Sequence, residues 1–338
     1  MKNAIRIILI SLLISGGAIA LLLLTGDKLD PSAFQKLLDV NWTKLALVIP
    51  FLAAWWVLLG VRIKILATAL DVGEHISLSR AIRAALLSLF GAFVTPAATG
   101  SSFGLGWYLS RFIDVKKATA IAVFGLVLDF VYYAWSMPVS FLILQFKGIN
   151  LGIPVLGVLI GISSILLILA AIAVTFSADF IARFTFNLFS LGFLKRRRFA
   201  AFAFVHRTGH VMAQLRQMPL GTQLLLHFVN ALAFLTHFGA FNVVAWGLGI
   251  PNFDHVAILA CQSLLVSLSS VVPTPGGSGY FEIALGKVFA AIGVPDAAKT
   301  FLTLIWRFIS YYLYILIGPF IGGAALLRAS EKAPKSPL

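Results

Sequence analysis

Val271-Val272-Pro273-Thr274-Pro275-Gly276-Gly277-Ser278-Gly279-Tyr280-Phe281-Glu282 is the stretch that decides how the rest of this chain is read. Two prolines, three glycines and a carboxylate interrupt strongly apolar sequence. Pro273 and Pro275 lack an N–H and restrict the residue before them, so a helix arriving over 256–271 stops here. Gly276, Gly277 and Gly279 permit positive φ and allow a second backbone or a ligand to come close. Apolar sequence runs up to the motif and resumes after it, which places the break at bilayer depth. Bare backbone is tolerated there only where it is buried in protein or lines a cavity. Thr274 and Ser278 add hydroxyls. Glu282, an ionisable residue at that depth, is either a functional group or the cap of the half-helix it begins.

The composition agrees with a membrane setting. Of 338 residues, 60% are hydrophobic and 11% charged, against roughly 25% charged in a soluble domain. The apolar runs are long and do not alternate, so the expected class is an all-α polytopic membrane protein. A single cysteine, Cys261, excludes an internal disulfide and a thiolate cluster. The formal net charge of +14 reads as loop bias and attraction to anionic lipid, so no nucleic-acid partner is expected. His206 and His210 are too few for a metal site. No Ser-His-Asp order, P-loop or dinucleotide fingerprint is present. No enzymatic activity, cofactor or intrinsic ATP-driven pumping is therefore expected.

Six full spans are expected, at about 4–24, 43–61 (ending at Arg62 and Lys64), 118–145, 152–176, 222–249 and 299–327, within a single transmembrane domain. A basic segment, 177–221, separates a first half, 1–176, from a second half, 222–327. A short tail, 328–338, follows. The stretch 84–108 is apolar but broken at Thr95-Pro96-Ala97-Ala98-Thr99-Gly100-Ser101-Ser102. If it crossed once, Arg80 and Arg83 would face one side and Arg111, Lys116 and Lys117 the other. A re-entrant hairpin keeps them together, as the positive-inside rule prefers. The same rule makes 255–293 a second re-entrant hairpin, entering from the opposite face. On this topology both termini are cytoplasmic in a cell inner (plasma) membrane. Nineteen of the 26 Lys and Arg are then cytoplasmic, and Arg307 is intramembrane.

Thr95-Pro96-Ala97-Ala98-Thr99-Gly100 aligns without gaps with Thr274-Pro275-Gly276-Gly277-Ser278-Gly279, at a separation of 179 residues. Asp129 and Arg307 follow at nearly the same separation. Broken helices at matching positions in opposite orientation are the mark of an inverted repeat, whose site lies at the midplane between the halves. The first break would bring Pro96, Thr99, Gly100 and Ser101 to that site.

Pro-Thr-Pro-Gly-Gly-x-Gly-x-x-Glu over 273–282, followed by a last helix bearing Arg307, Ser310 and Tyr311, resembles the transmembrane flippase-like region of lysylphosphatidylglycerol synthases. The resemblance covers about residues 5–327. It implies a lipid transporter that moves a phospholipid or other polar-headed lipid between leaflets. The polar stretches here are too short for the family's cytoplasmic synthetase domain. The family's usual acidic residue after the first break is Ser101 here. Of its Glu-Arg-x-x-Asp pattern, Gly125-Leu126-Val127-Leu128-Asp129 keeps only the aspartate. The lipid is therefore left open, with anionic or zwitterionic headgroups expected as partners. An integral-membrane lipid-modifying enzyme, or a non-transporting partner subunit of one, is the alternative. A homo-oligomer or a lipid-synthesising partner enzyme is compatible with the sequence.

The expected substrate-binding residues are Glu282, Arg307 and Asp129, with Pro273, Thr274, Pro275, Gly276, Gly277, Ser278 and Gly279 of the second break and Tyr311 of the last helix. Arg307 cannot be deprotonated and needs a carboxylate, carbonyls or a lipid phosphate. Asp129 and Glu282 are the two intramembrane acids open to it. Tyr311 either touches the headgroup or packs beside Arg307.

Overall fold

The computed structural model describes residues 41–95, 98, 100–150, 155–176, 209, 211–250, 253–269, 272, 274–292, 294 and 296–332. The expected first span at 4–24 and most of the basic segment 177–221 lie outside these. Among the described residues the protein is helical throughout and contains no strand.

α1 (Trp42–Ala46) and α2 (Val48–Ala69) form one path, interrupted by a single turn at Leu47. Asn41 caps it by accepting from the Lys44 amide. The helix does not stop at Arg62 and Lys64 as the charges suggested. Arg62 is buried and has partners inside the bundle, so the helix has no need to end where it meets a charge. α3 (Leu78–Val94) starts on the Ser77 hydroxyl and ends at Thr95, whose extended backbone is the conformation a following proline imposes. α4 (Gly100–Leu109) returns, and α5 (Val115–Phe146) starts on the Asp114 carboxylate. α6 (Leu156–Phe176) packs chiefly on α5. Its exposed Val158, Ile162, Ile165, Leu166 and Leu169 suit a lipid-facing helix.

The second half repeats this order. α7 (Leu220–Gly247) is followed by α8 (His255–Ser269), a break, and α9 (Tyr280–Ala291). α10 (Asp296–Arg307) then passes through a π-helical turn, Phe308–Tyr312, into α11 (Leu313–Lys332). Among the described residues, five helical stretches are long and apolar enough to cross a membrane: Trp42–Ala69, Val115–Phe146, Leu156–Thr175, Leu220–Gly247 and Phe301–Gly323. Each coincides with a span expected from the sequence.

Corresponding first helices of the two halves pack antiparallel. The Asn41 amide donates to the Gly247 carbonyl at 3.1 Å. Further along α2, the Phe51 ring lies on Gly239, Trp55 stacks on His237 at 3.8 Å, and Arg62 reaches Asn230. Residue numbers rise along α2 as they fall along α7, so the halves run in opposite senses. The cross-half contacts follow the same pairing: α8 lies on α5, and α3 on α11.

Lipid tails are as apolar as leucine, so burial of apolar area does little to bring such helices together, and close approach of small residues does more. α3 and α4 lie antiparallel with Gly91 against Gly100 and Gly104 against the Leu87 carbonyl. Ser88 Oγ donates across to the Ser101 carbonyl at 3.0 Å. α4 therefore ends on the side where α3 began, and Lys117 Nζ of α5 donates there to the Leu70 carbonyl at the end of α2. In the second half, Phe289 near the end of α9 stacks on Phe241 near the end of α7, the end from which α8 departs. At that end Lys147 pairs with Asp254 at 2.8 Å. The hydrogen bond from Lys147, then that from the Ala257 amide, holds the Asp254 carboxyl below its usual range. The same carboxylate caps α8 by accepting from Val256 and Ala257.

Gly91→Ala should destabilise the protein by about 1–3 kcal/mol, because its new methyl group meets the Gly100 carbonyl, a backbone atom that cannot swing aside. Gly161→Ala on α6 should be neutral, since nothing lies within 4 Å of that methyl position. Thermal unfolding of the two variants in one detergent checks the contrast.

Candidate functional site

The second break is held by charge. Gly276, Gly277 and Gly279 have φ of 57°, 62° and 85°, values that favour glycine. Gly276 also lies directly on the Tyr311 ring, with no space for a side chain. The Gly277 and Ser278 amides donate to the Thr274 and Pro275 carbonyls at 3.1 Å. Glu282 closes the turn: its Oε2 accepts from the Gly279 amide at 2.8 Å, capping α9. Its Oε1 lies 2.8 Å from Arg307 Nε. Arg307 Nη1 donates to the Gly276 carbonyl at 3.0 Å and Nη2 to Ser278 Oγ at 3.2 Å. The guanidinium also lies over the Tyr311 ring, 4.1 Å from its centre. Glu282 and Arg307 are 0% and 1% exposed. Of the two acids open to Arg307, it takes Glu282.

The first break is held by neutral groups. Thr95 Oγ1 accepts from the Gly100 amide at 2.7 Å and donates to the Gly91 carbonyl at 2.8 Å. One hydroxyl thus satisfies two backbone groups that the interrupted helix leaves open.

Between the two breaks lies a cavity of about 350 Å³. Ser88, Ser101 and Ser102 line it from the first hairpin, and Thr274, Gly276 and Gly277 from the second. Trp55, Phe93, Phe130, Phe234 and Trp306 supply much of its apolar wall. Among the described residues, Arg62, Asp129 and Arg307 also belong to the lining.

Asp129 is paired with Arg62, at 2.6 Å from Nη1. The same Nη1 donates to Asn230 Oδ1, and Asn230 Nδ2 donates to the Leu128 carbonyl at 3.1 Å. Asn230 is thereby locked by α5 and in turn locks Arg62. Among the described residues, the hydrogen bonds of Arg62 use Nη1 alone and its buried Nε has no partner. Two buried hydroxyls on the cavity lining, Thr274 Oγ1 and Ser310 Oγ, also lack a partner among the described residues. An unmet buried donor or acceptor costs about 1–3 kcal/mol. Ser310 sits in the π-helical turn, a distortion frequent at functional sites.

The structure thus brings Asp129, Arg307, Ser101, Thr274, Gly276 and Gly277 of the expected set to one cavity. Glu282, Ser278, Gly279, Gly100 and Tyr311 stand behind it as supports for the two breaks. Pro275 contributes the carbonyl that Ser278 uses. Pro96, Thr99 and Pro273 lie outside the described residues. Sequence reading passed over Arg62 and Asn230. Arg62 was counted among the cytoplasmic charges because a cation usually marks a span's end, whereas Ile63, Ile65 and Leu66 carry the apolar run past it. Asn230 was visible as a lone amide within an apolar run, which inside a membrane asks for a partner.

Residues 8–318 match the family described as the lysylphosphatidylglycerol synthase TM region. Over 300 residues the chain is 25% identical to a protein named UPF0104 membrane protein from Archaeoglobus fulgidus, a match covering 86% of this chain and 88% of the other. No solved structure matches.

Removing one member of a buried ion pair typically costs about 3–5 kcal/mol, because the other charge is stranded. Glu282→Gln should destabilise the protein on that scale. Asp129→Asn should cost much less, since the Asp129 side chain is 24% exposed and the amide oxygen can still accept from Arg62. Denaturant unfolding of both variants in detergent decides whether the two acids differ in this way.

Proposed function

The chain belongs to the lysylphosphatidylglycerol synthase transmembrane-region family, and from that premise we propose that it moves a polar-headed lipid between the two leaflets. The observation that carries this is the cavity, which has a charged and hydroxylated lining between two helix breaks in an apolar bundle. A headgroup crossing hydrocarbon alone loses its hydration at a cost of several kcal/mol per uncompensated polar group. Hydroxyls, glycine backbone and the Arg62–Asp129 pair would replace that water, while the acyl chains stay in lipid. The lipid leaves with the mass it had on entry, so no chemical step is assigned.

In this reading both helix–break–helix units are re-entrant. α3 and α4 have 17 and 10 residues, and α8 and α9 have 15 and 12. At 1.5 Å per residue, each arm spans about 15–25 Å, short of the roughly 30 Å hydrocarbon core. Entry of the two hairpins from opposite faces accords with the antiparallel run of α2 and α7. Lys64, Arg80, Arg83, Arg111, Lys116 and Lys117 belong to one end of the bundle. We assign that end, with both chain termini, to the cytoplasmic face of the inner membrane.

Two measurements test this. In a Cys261→Ala background, Ser77→Cys and Asp114→Cys should label from one face of the membrane, and His255→Cys and Ala290→Cys from the other. Labelling of Ser77 and Asp114 from opposite faces would mean that the first helix pair crosses. In proteoliposomes the wild type should transfer fluorescent lipid between leaflets, and Ser102→Phe, which fills the cavity, should slow transfer at least tenfold without lowering the melting temperature. Folded wild type that moves no lipid defeats the transporter reading. A changed lipid mass after incubation would point instead to a lipid-modifying enzyme.

A further inference from the structure

Resting on the transporter reading, we infer that the cavity recognises its lipid through a phosphate group, held by the Nε–Nη2 edge of Arg62. The guanidinium of Arg62 is divided in use. Nη1 serves Asp129 and Asn230 together. Nε and Nη2 make no hydrogen bond among the described residues, and Nε is buried. An arginine offers a carboxylate or phosphate two parallel donors along one edge, a geometry that an ammonium cannot supply. Here that edge remains uncommitted at the lining of a cavity.

The alternative cation on the lining does not fit the role. Arg307 is committed through Nε to Glu282, through Nη1 to Gly276 and through Nη2 to Ser278. Breaking those bonds would release the second break. Arg62 can take a ligand without giving up what holds it, because Asp129 and Asn230 grip the opposite nitrogen. They act as positioning residues, fixing the plane of the guanidinium. Nε is shielded where Nη2 is not, so contact begins at Nη2 and closes on Nε. Thr274 and Ser310, with buried hydroxyls lacking partners on the same cavity, supply donors suited to the remaining phosphate oxygens. A tetrahedral anion could accept from the Arg62 edge and from both hydroxyls.

The arrangement also sets the effect of the counter-charge. Asp129 orients Arg62 but places a negative charge beside the anion it binds. Asp129→Asn keeps an oxygen acceptor for Nη1 and removes the repulsion, so it should tighten phosphate binding. A purely structural Arg62–Asp129 pair would show no such gain.

The test is binding to the full chain in micelles of a non-phosphorylated detergent, followed by tryptophan fluorescence and melting temperature. The probes are phosphatidylglycerol, galactosyl-diacylglycerol, which has no phosphate, and inorganic phosphate. Phosphatidylglycerol should bind and the galactolipid should bind at least tenfold more weakly. Arg62→Gln should lose that preference, Arg62→Lys should keep only part of it despite its charge, and Asp129→Asn should bind phosphatidylglycerol more than threefold tighter. Competition by inorganic phosphate would show that the seat takes the bare anion; its absence would assign recognition to the lipid-borne group. Equal binding of both lipids, or Asp129→Asn that folds and binds phosphatidylglycerol no more tightly, overturns the inference. Because binding is read without transport, phosphate preference in a protein that moves no lipid would leave the site standing and remove the transporter reading. Transport indifferent to Arg62 would do the reverse.

Discussion

A guanidinium that cannot lose its proton lies buried in an apolar helix bundle, and the second break is built around that charge. Arg307 requires a carboxylate and several acceptors. Glu282 gives the carboxylate, while the Gly276 carbonyl and Ser278 Oγ accept from the two terminal nitrogens. Those acceptors exist only because the helix stops at the prolines and turns back through three glycines with positive φ. The turn, for its part, needs the charge: with Arg307 absent, the Gly276 carbonyl and the Glu282 carboxylate would be left in low dielectric. Break and ion pair are mutually required, which makes this a rigid wall of the cavity and suits it poorly to releasing a ligand.

The first half solves the same backbone problem without charge. Thr95 closes its break with one hydroxyl, and the glycines of α3 and α4 bring the arms into contact. Its ion pair, Arg62–Asp129, makes no hydrogen bond to the described residues of the break. The two halves therefore share an element order but not a division of labour. In one, the intramembrane charges are structural; in the other, they are free to face the cavity. The charged pair of the second half is bound to its break, and that of the first half is not.

The spans were legible because an unbroken apolar run of about twenty residues is a strong signal, and the breaks because proline and glycine act through local backbone chemistry. The match of Thr95–Gly100 to Thr274–Gly279 set the two breaks in correspondence, and the antiparallel packing of α2 on α7 is compatible with that reading. What sequence could not supply was pairing. Which acid meets Arg307 depends on how far α9 lies from α10, a tertiary quantity. Arg62 was misplaced because near the end of an apolar run a cation that caps the span and one that enters the bundle look alike. Only the partners, Asp129 on α5 and Asn230 on α7, distinguish them. The aspartate was noticed for its charge, whereas the amide carried no charge to draw attention.

Asn230 also connects the site to the architecture. It belongs to the second half, yet it joins Arg62 and the Leu128 carbonyl, both of the first. Arg62 and Asp129 travel with the first half, and Arg307 with the second. The Arg62–Asn230 bond is therefore a contact between the halves that is separate from the clamp around Arg307. A bound anion and Asn230 would then support the guanidinium from different nitrogens. On the proposed reading, the charge that would receive a headgroup and one of the contacts between the halves meet on a single arginine side chain.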